Sequence, residues 1–346
     1  MNMIKKLLSI DCFSGCGGLS EGLRQAGFNV LAGVELRPDA REAHKLNHPK
    51  AHHYGDIQSI DAATVLADLK LKPGALDLLA GCPPCQGFST IRTRRSASCV
   101  DDPRNELIFD FIRLAEGLLP KTILMENVPP LLKDRRIVEA RRRLKKAGYQ
   151  WIVADERNAA NFGVPQRRRR MILMASRMGP ITLPDGNGAA VATVRKTIGA
   201  LGNPTASSKW LHRIHMKHSD VVMNRIRRIP KNGGSRSALG DDQLGCHQRY
   251  PHGFRDVYGR MKWDDVAPTI TRSCINPSKG RFLHPEQDRA ITLYEAMRLQ
   301  SFPHTYMFPR HLTMTQIASM IGEALPPKFA EAQARHIKAH LAAYHH

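Results

Sequence analysis

Two cysteines three positions apart, Cys82 and Cys85, stand in the stretch Gly81-Cys-Pro-Pro-Cys-Gln-Gly-Phe-Ser89 of a chain that also carries Cys12 and Cys16. Such a set allows a zinc knuckle, a redox couple, or one nucleophile beside a bystander. Zinc needs all four on thiolate bonds. Cys12, however, is expected to turn inward on a first strand, and Pro83-Pro84 stiffens the other pair. A redox couple wants its first cysteine at a helix start, whereas this pair follows a strand-like run, Ala75 to Gly81. The nucleophile reading needs an exposed thiolate at a strand's C-terminal end with partners for a substrate. Glu126-Asn-Val128 ends another apolar run and puts a carboxyl at the same rim. Gln166 to Arg170 begins a further strand with alternating guanidiniums.

A second constellation lies at Asp11 to Gly18, "DCFSGCGG", which follows a strand-like run and opens a helical one. Glycines there let a backbone approach a ligand and let helix amides meet it. The next strand ends in Glu35, seventeen positions past Gly18, where a carboxylate reaches both hydroxyls of a ribose. A third loop holds Gly55-Asp56-Ile57, suited to an adenine edge. The expected ligand is an adenosine-containing cofactor, although the glycines do not match the phosphate-binding spacing in full.

The elements that must position these residues follow a rhythm. Leu7 to Phe13, Val30 to Glu35, Ala75 to Gly81 and Lys121 to Val128 are short apolar runs, each followed by a helix-period stretch. This is the pattern of an α/β fold with a mostly parallel sheet and helices on both faces. Tyr149 to Asn158 and Arg169 to Ser176 look like two closing strands, a hairpin at the sheet edge. After about Arg177 the rhythm stops, and Gly, Pro, Ser, His and Arg dominate a loop-rich basic module. Trp210, Tyr250, Phe254, Tyr258 and Trp263 lie among its cations. Helical period returns from Arg289. The expected division is therefore a core over 1–180, a small domain over 181–288, and helices completing the core over 289–346.

Lys+Arg 52 against Asp+Glu 31 gives a net charge of +21 and a pI near 10.0, a field that holds polyanions, so nucleic acid is the expected partner. The apolar run near the N-terminus is broken by Asp11 and lacks a cleavage-like site, and no later segment is apolar and long enough to span a bilayer. Seven cysteines spread through a chain of this size favour a reducing compartment, so a cytoplasmic, nucleoid-associated location is expected.

Taken together, "DCFSGCGG", Glu35, "GDI", "PPCQGFS", "DDPRNEL", "ENV", "QRRRR", "APTIT" and "EAMRLQSFP…IGEALPP" resemble, in order and nearly end to end, the DNA (cytosine-5)-methyltransferase family. The resemblance implies a Rossmann-like class I methyltransferase core with an inserted small loop-rich target-recognition domain. It also implies S-adenosyl-L-methionine as methyl donor, S-adenosyl-L-homocysteine as product, double-stranded DNA as substrate, no metal and a monomeric chain. Carried over by position, Cys85 resembles the nucleophile that adds to carbon 6 of cytosine, with Cys82 the bystander. Glu126 would hold ring nitrogen 3 and the exocyclic amine, Arg170 the exocyclic oxygen, and Arg168 the active-site loops. Cofactor contacts would fall to Phe13, Gly15, Gly17, Glu35, Asp56, Ile57 and Leu107, with Glu323 beside them. Because chemistry on a ring face cannot occur inside a duplex, the base must be flipped out. The segment after Cys85 is expected to close over it, with Ser89, Arg92, Arg94 and Arg95 gripping DNA.

Two positions depart from the family pattern: Glu323 stands where asparagine is usual, and Tyr294 where arginine is usual. A carboxylate at 323 is expected to alter cofactor affinity or selectivity. Two other functions compete: a transfer-RNA cytosine-5 methyltransferase, which the inserted module disfavours, and a DNA-binding relic of the fold, which Cys85, Glu126 and Arg170 disfavour.

Overall fold

The computed structural model describes residues 6–84, 102–186, 188–249 and 255–344. Cys85, Ser89, Arg92, Arg94, Arg95, Tyr250 and Phe254 lie outside the described residues. The first half alternates β1 (Leu8–Cys12), α1 (Gly18–Gln25), β2 (Asn29–Val34), α2 (Pro38–Asn47), β3 (His52–Tyr54) and α3 (Ala62–Asp68). It continues through β4 (Leu78–Gly81), α4 (Leu107–Leu118), β5 (Thr122–Asn127), α5 (Arg135–Lys146), β6 (Trp151–Asn158) and β7 (Arg169–Ser176). Beyond lie α6 (Asp220–Arg228), α7 (Leu293–Leu299), α8 (Met314–Glu323) and α9 (Pro327–Ala343), with shorter helices between them.

The strands form one seven-stranded sheet in the order β3-β2-β1-β4-β5-β7-β6. The first five are parallel, and β7 and β6 close the edge as the expected antiparallel hairpin. Every residue of β4 and β5 is buried, as suits parallel strands covered on both faces. On α4, Ile108, Phe111, Ile112, Ala115 and Leu118 recur at helical spacing and face a core shared with Ile10, Leu79, Ile123 and Met125. Gly81 ends β4 because a Cβ there would stand 2.8 Å from the Phe111 ring and 2.9 Å from the Cys12 carbonyl. The register pairs Cys12 with Val34 and Gly81, and Val34 with Tyr54. The loops after β1, β2, β3 and β4 therefore leave from one rim, where doubly wound sheets bind ligands.

Two compact units emerge: Met1–Phe162 with Arg169–Gly188 and Leu325–His346, and Gly163–Arg168 with Ala189–Ala324. Residues 289–324 thus belong with the second unit, while 325–346 belong with the first. The 289–324 segment is tied to the rest of that unit by the His212–Thr292 and Gln166–Gln300 hydrogen bonds and ordered by its own contacts. Thr292 and Glu295 form a capping box that opens α7, and Glu295 also takes both terminal nitrogens of Arg289 at 2.7 Å. Gln300 reaches the Ile321 carbonyl and accepts the amide of Gln166.

The second unit has a small apolar cluster of Ile226, Ile229, Leu239, Val257, Tyr258 and Leu283. Tyr258 is a core residue, while Trp263 packs edge-on against His284 and under the Arg195 guanidinium. Arg260, fully buried, substitutes for a sheet. It donates to the carbonyls of Ile226, Ile229, His284 and Gln287 and to the Asp288 carboxylate, tying the end of α6 to the following loops. A loop-rich module saturates its buried backbone this way where strands are short.

Burial pushes the imidazoles of His48 and His284 down to about 4. Each is held neutral in the fold and takes a proton more readily when unfolded, so its contribution is complete above pH 6.5 and is lost as pH falls toward 4. Asp11, pushed up to about 7 by burial, has the opposite sign over the same window. Two histidines outweigh one carboxyl, so denaturant unfolding is expected to show stability falling by roughly 2 kcal/mol between pH 6.5 and 4.5. A flat profile over that range would refute it.

Candidate active site

The loop after β1 turns three times into the left-handed region, at Phe13 (φ 60°), Gly15 (φ 53°) and Gly17 (φ 100°). Phe13 carries a side chain there, a conformation of the kind concentrated at ligand-binding loops. Gly17 caps α1, and its carbonyl accepts the Glu21 amide. The Gly15 amide donates to Glu35 Oε2 at 2.9 Å, and the Arg37 amide to Glu35 Oε1 at 2.8 Å. The carboxylate that follows β2 therefore fixes the glycine turn that follows β1. Asp56 caps the short turn Ile57–Ser59 by accepting the Gln58 amide, and the Ile57 side chain is buried in the core below. Leu107 opens α4, partly buried against the same core.

Two arginines brace these loops and were not singled out in the sequence. Arg113 of α4 donates to the carbonyls of Ile57 and Ile60 at 2.7 and 2.8 Å, and Arg41 of α2 donates to the Glu35 carbonyl at 2.7 Å. Their helical positions gave no signal, since an arginine on a helix is most often a solvated charge. Leu36, next to Glu35, is 64% exposed, an apolar side chain standing out at the rim.

At the far side of the rim β5 ends in Glu126 and Asn127, both buried. The Asn127 amide donates to the Pro83 carbonyl at 3.0 Å, and the Cys82 amide donates to the Cys12 carbonyl at 3.2 Å. Residues 82 and 83, which lead to Cys85, are thus held by the ends of β1 and β5. Arg170 Nε lies 2.7 Å from Glu126 Oε1, and another of its nitrogens donates to the Arg169 carbonyl. The antiparallel step of β7 against β5 produces this pairing, because it brings the start of β7 to the end of β5.

Arg168 points elsewhere. Within the second unit its guanidinium donates to the carbonyls of Ile270, Gly322 and Glu323 at 3.0, 3.2 and 3.4 Å. Gln166 accepts the Ile270 amide, and Thr269 donates to the Arg167 carbonyl. The "QRRRR", "APTIT" and "IGE" segments are therefore bonded into one cluster, a contribution of Gln166 that the sequence did not reveal. Glu323 ends α8 with its carboxylate ion-paired to Arg272 and accepting the Ser319 hydroxyl at 3.4 Å. Tyr294 is buried, its ring 6.0 Å from that of His212, which shares a 2.8 Å hydrogen bond with Thr292. Among the described residues no group of three or more His, Cys, Asp or Glu could hold a metal ion, and no helix is long and apolar enough to cross a membrane.

A seven-stranded α/β sheet with one ligand-binding rim is the Rossmann-like architecture of methyltransferases, and solved structures share it. A prophage protein of E. coli carrying the name DNA modification methyltransferase superposes with a TM-score of 0.73 at 23% identity, over 97% of this chain and 100% of that one. The Dnmt2 methyltransferase of S. pombe does so with a TM-score of 0.62 at 18% identity, over 97% and 99%. At these identities the likeness speaks for the fold. The family is fixed by sequence: residues 7–339 match the family described as C-5 cytosine-specific DNA methylase, and the chain belongs to it. It is 34% identical to the Type II methylase M.HgiDII of Herpetosiphon aurantiacus, over 97% of this chain and 96% of that protein. It is 30% identical to the Type II methyltransferase M1.HphI of Haemophilus parahaemolyticus, over 94% and 85%.

Proposed function

We propose that the chain methylates carbon 5 of cytosine at a specific double-stranded DNA sequence, using S-adenosyl-L-methionine and covalent addition of Cys85 to a flipped-out base. The observation that carries this reading is the buried Glu126–Arg170 pair beside the Asn127 clamp on the cysteine loop. Thiolate addition to carbon 6 pushes electrons onto ring nitrogen 3 and the exocyclic oxygen. Glu126 accepts from the exocyclic amine and passes a proton to the nitrogen, with Arg170 at the oxygen, so charge built up during addition is offset where it appears; after methyl transfer, loss of the carbon 5 proton to water expels the Cys85 thiolate. Arg168 acts at a distance, holding the backbone of residues 270 and 322–323.

The residues at the rim fit the cofactor. A Cβ built on Gly15 meets nothing within 4 Å, so the turn has an open face, and Glu35 and Asp56 stand on the two loops suited to a ribose and an adenine edge. Phe13, Gly17, Ile57, Leu36 and Leu107 complete the cradle. The cofactor supplies an electrophilic methyl group on a sulfonium. The chain's own part is to bind the nucleoside and exclude water. Ser89, Arg92, Arg94 and Arg95 contact DNA in this reading, residues 181–288 read the sequence, and the chain acts as a cytoplasmic, nucleoid-associated monomer without metal.

The test is mass spectrometry of nucleosides from genomic DNA and transfer RNA of cells expressing the chain. Appearance of 5-methyldeoxycytidine in DNA is the expected result. Modified cytidine in transfer RNA alone would replace this reading with the RNA one, and no change in either, from a soluble protein, would leave a DNA-binding relic.

Glu323 bears on the cofactor in the same reading. Its ion pair with Arg272 anchors the carboxylate, and an asparagine cannot keep that charge balance. Glu323→Asn is expected to change cofactor affinity by about 3- to 10-fold, roughly 0.7 to 1.4 kcal/mol, in calorimetric titration. Kinetics and affinity like those of the parent chain would remove the idea.

A further inference from the structure

Behind the glycine turn a line of hydrogen bonds runs from a buried carboxylate toward solvent, through residues that the methyl-transfer chemistry does not use. The Ser20 hydroxyl donates to Asp11 Oδ2 at 2.7 Å and lies 2.8 Å from His44 Nε2. His44 Nδ1 lies 3.0 Å from His53 Nε2. Asp11, Ser20 and His44 are all but inaccessible, while His53 is only half-buried. The four sit on β1, α1, α2 and β3, the elements flanking the loops that carry Phe13 to Gly17, Glu35 and Asp56. His44 also packs against the sheet directly, since a Cβ on Gly33 would stand 2.9 Å from its ring and 3.1 Å from Ser14 Oγ.

We propose that Ser20, His44 and His53 are positioning residues for the cofactor turn and a proton path, through which Asp11 gives up a proton to solvent when the cofactor binds. The inference rests on the cofactor assignment above. With Asp11 ionised, Ser20 donates to it, His44 Nε2–H donates to Ser20, and His53 Nε2–H donates to His44 Nδ1. When Asp11 takes a proton on Oδ2, every bond in the line reverses. Asp11 then donates to Ser20, Ser20 to His44 Nε2, and His44 Nδ1–H to His53 Nε2, leaving the hydrogen of His53 on Nδ1. One proton enters or leaves at His53, and both histidines change tautomer.

A proton on Oδ1 instead would find no acceptor, because that buried oxygen has no hydrogen-bond partner. Desolvation raises the Asp11 pKa to about 7, against the hydroxyl and backbone of Ser20, with the Glu35 charge adding to the rise. Burial, then His48 and His53, hold His44 well below the ordinary imidazole value, so it passes a proton along without keeping it. The other charged groups facing the line are Glu21 and Arg24 of α1, Arg41 and Lys45 of α2, and His52 of β3, all felt by His48 or His53. A bound sulfonium, and ribose hydroxyls donating to Glu35, both favour an ionised Asp11. Cofactor affinity therefore rises with pH up to about 7 and then levels.

Nitrogen-15 NMR of the full chain with labelled histidine, between pH 6 and 8.5, tests this directly. The expected result is a joint tautomer change of His44 and His53 near pH 7, moved to lower pH by S-adenosylmethionine and less by S-adenosylhomocysteine, which lacks the sulfonium. Asp11→Asn has no proton to give up and should hold both histidines in one tautomer at every pH; Ser20→Ala should uncouple the histidines. Calorimetry should show wild-type affinity falling about 5- to 10-fold from pH 7.5 to 6. Histidine tautomers that ignore Asp11→Asn, or cofactor binding with no pH dependence, would overturn the proposal and leave the cofactor assignment standing. If neither cofactor binds at any pH, the assignment itself fails and the cofactor-linked half of the proposal with it.

Discussion

Glu126→Gln is expected to lower methyl transfer by about a thousandfold, and Cys85→Ala to abolish it, with both chains binding S-adenosylmethionine within about twofold of the parent. Glutamine keeps the shape of the side chain and an oxygen for Arg170 Nε, which in the native protein lies 2.7 Å from Glu126 Oε1. It cannot carry the charge or a proton. The fold should survive, since Asn127 and the β5 backbone hold the rim without the carboxylate. The loss should therefore appear in kcat, measured by single-turnover transfer of labelled methyl to DNA. A Glu126→Gln chain that keeps more than a tenth of parental kcat would remove Glu126 from the chemistry.

The sheet was legible because β1, β2, β4 and β5 are short, mostly apolar runs followed by helix-period stretches, and the closing hairpin because two long strands lie next to each other in sequence. β3 was not read as a strand, and for a physical reason. It is three residues long, His52-His-Tyr54, and its polar side chains pair locally with Asp68 and His44. The glycine turn and Glu35 could be read from spacing, yet their mutual bond could not, since nothing local ties residue 15 to residue 35. The same applies to Arg41, Arg113, Asn127 and Gln166, whose roles exist only after the chain has folded. The aromatic residues of the second module are visible in the sequence only as lying among cations. Tyr258 is in fact buried in an apolar cluster with Ile226, Ile229, Leu239, Val257 and Leu283, a placement that composition does not reveal.

Buried charge also holds the second unit together. Glu295→Ala is accordingly expected to destabilise it by about 3 to 5 kcal/mol, a large share of the roughly 5 to 15 kcal/mol that domains have. Glu295 is fully buried, holds both terminal nitrogens of Arg289, and accepts the Thr292 amide that starts α7. Alanine would strand the Arg289 guanidinium, itself mostly buried, and remove the cap at once. Hydrogen exchange of residues 293–299 in the full chain measures the effect, and a loss below about 1 kcal/mol would contradict it. A double change, Glu295→Leu with Arg289→Met, should cost less than the single one, because a buried pair exchanged whole for apolar groups leaves no charge unpaired. Burial raises the Glu295 pKa, but the hydrogen bonds and charge of Arg289 outweigh it and hold the carboxyl below its ordinary value. The stability it contributes is complete above that ordinary value and is lost only as pH falls through the depressed one. The second unit should therefore keep this contribution through the range in which His48 and His284 take up protons, and surrender it in stronger acid.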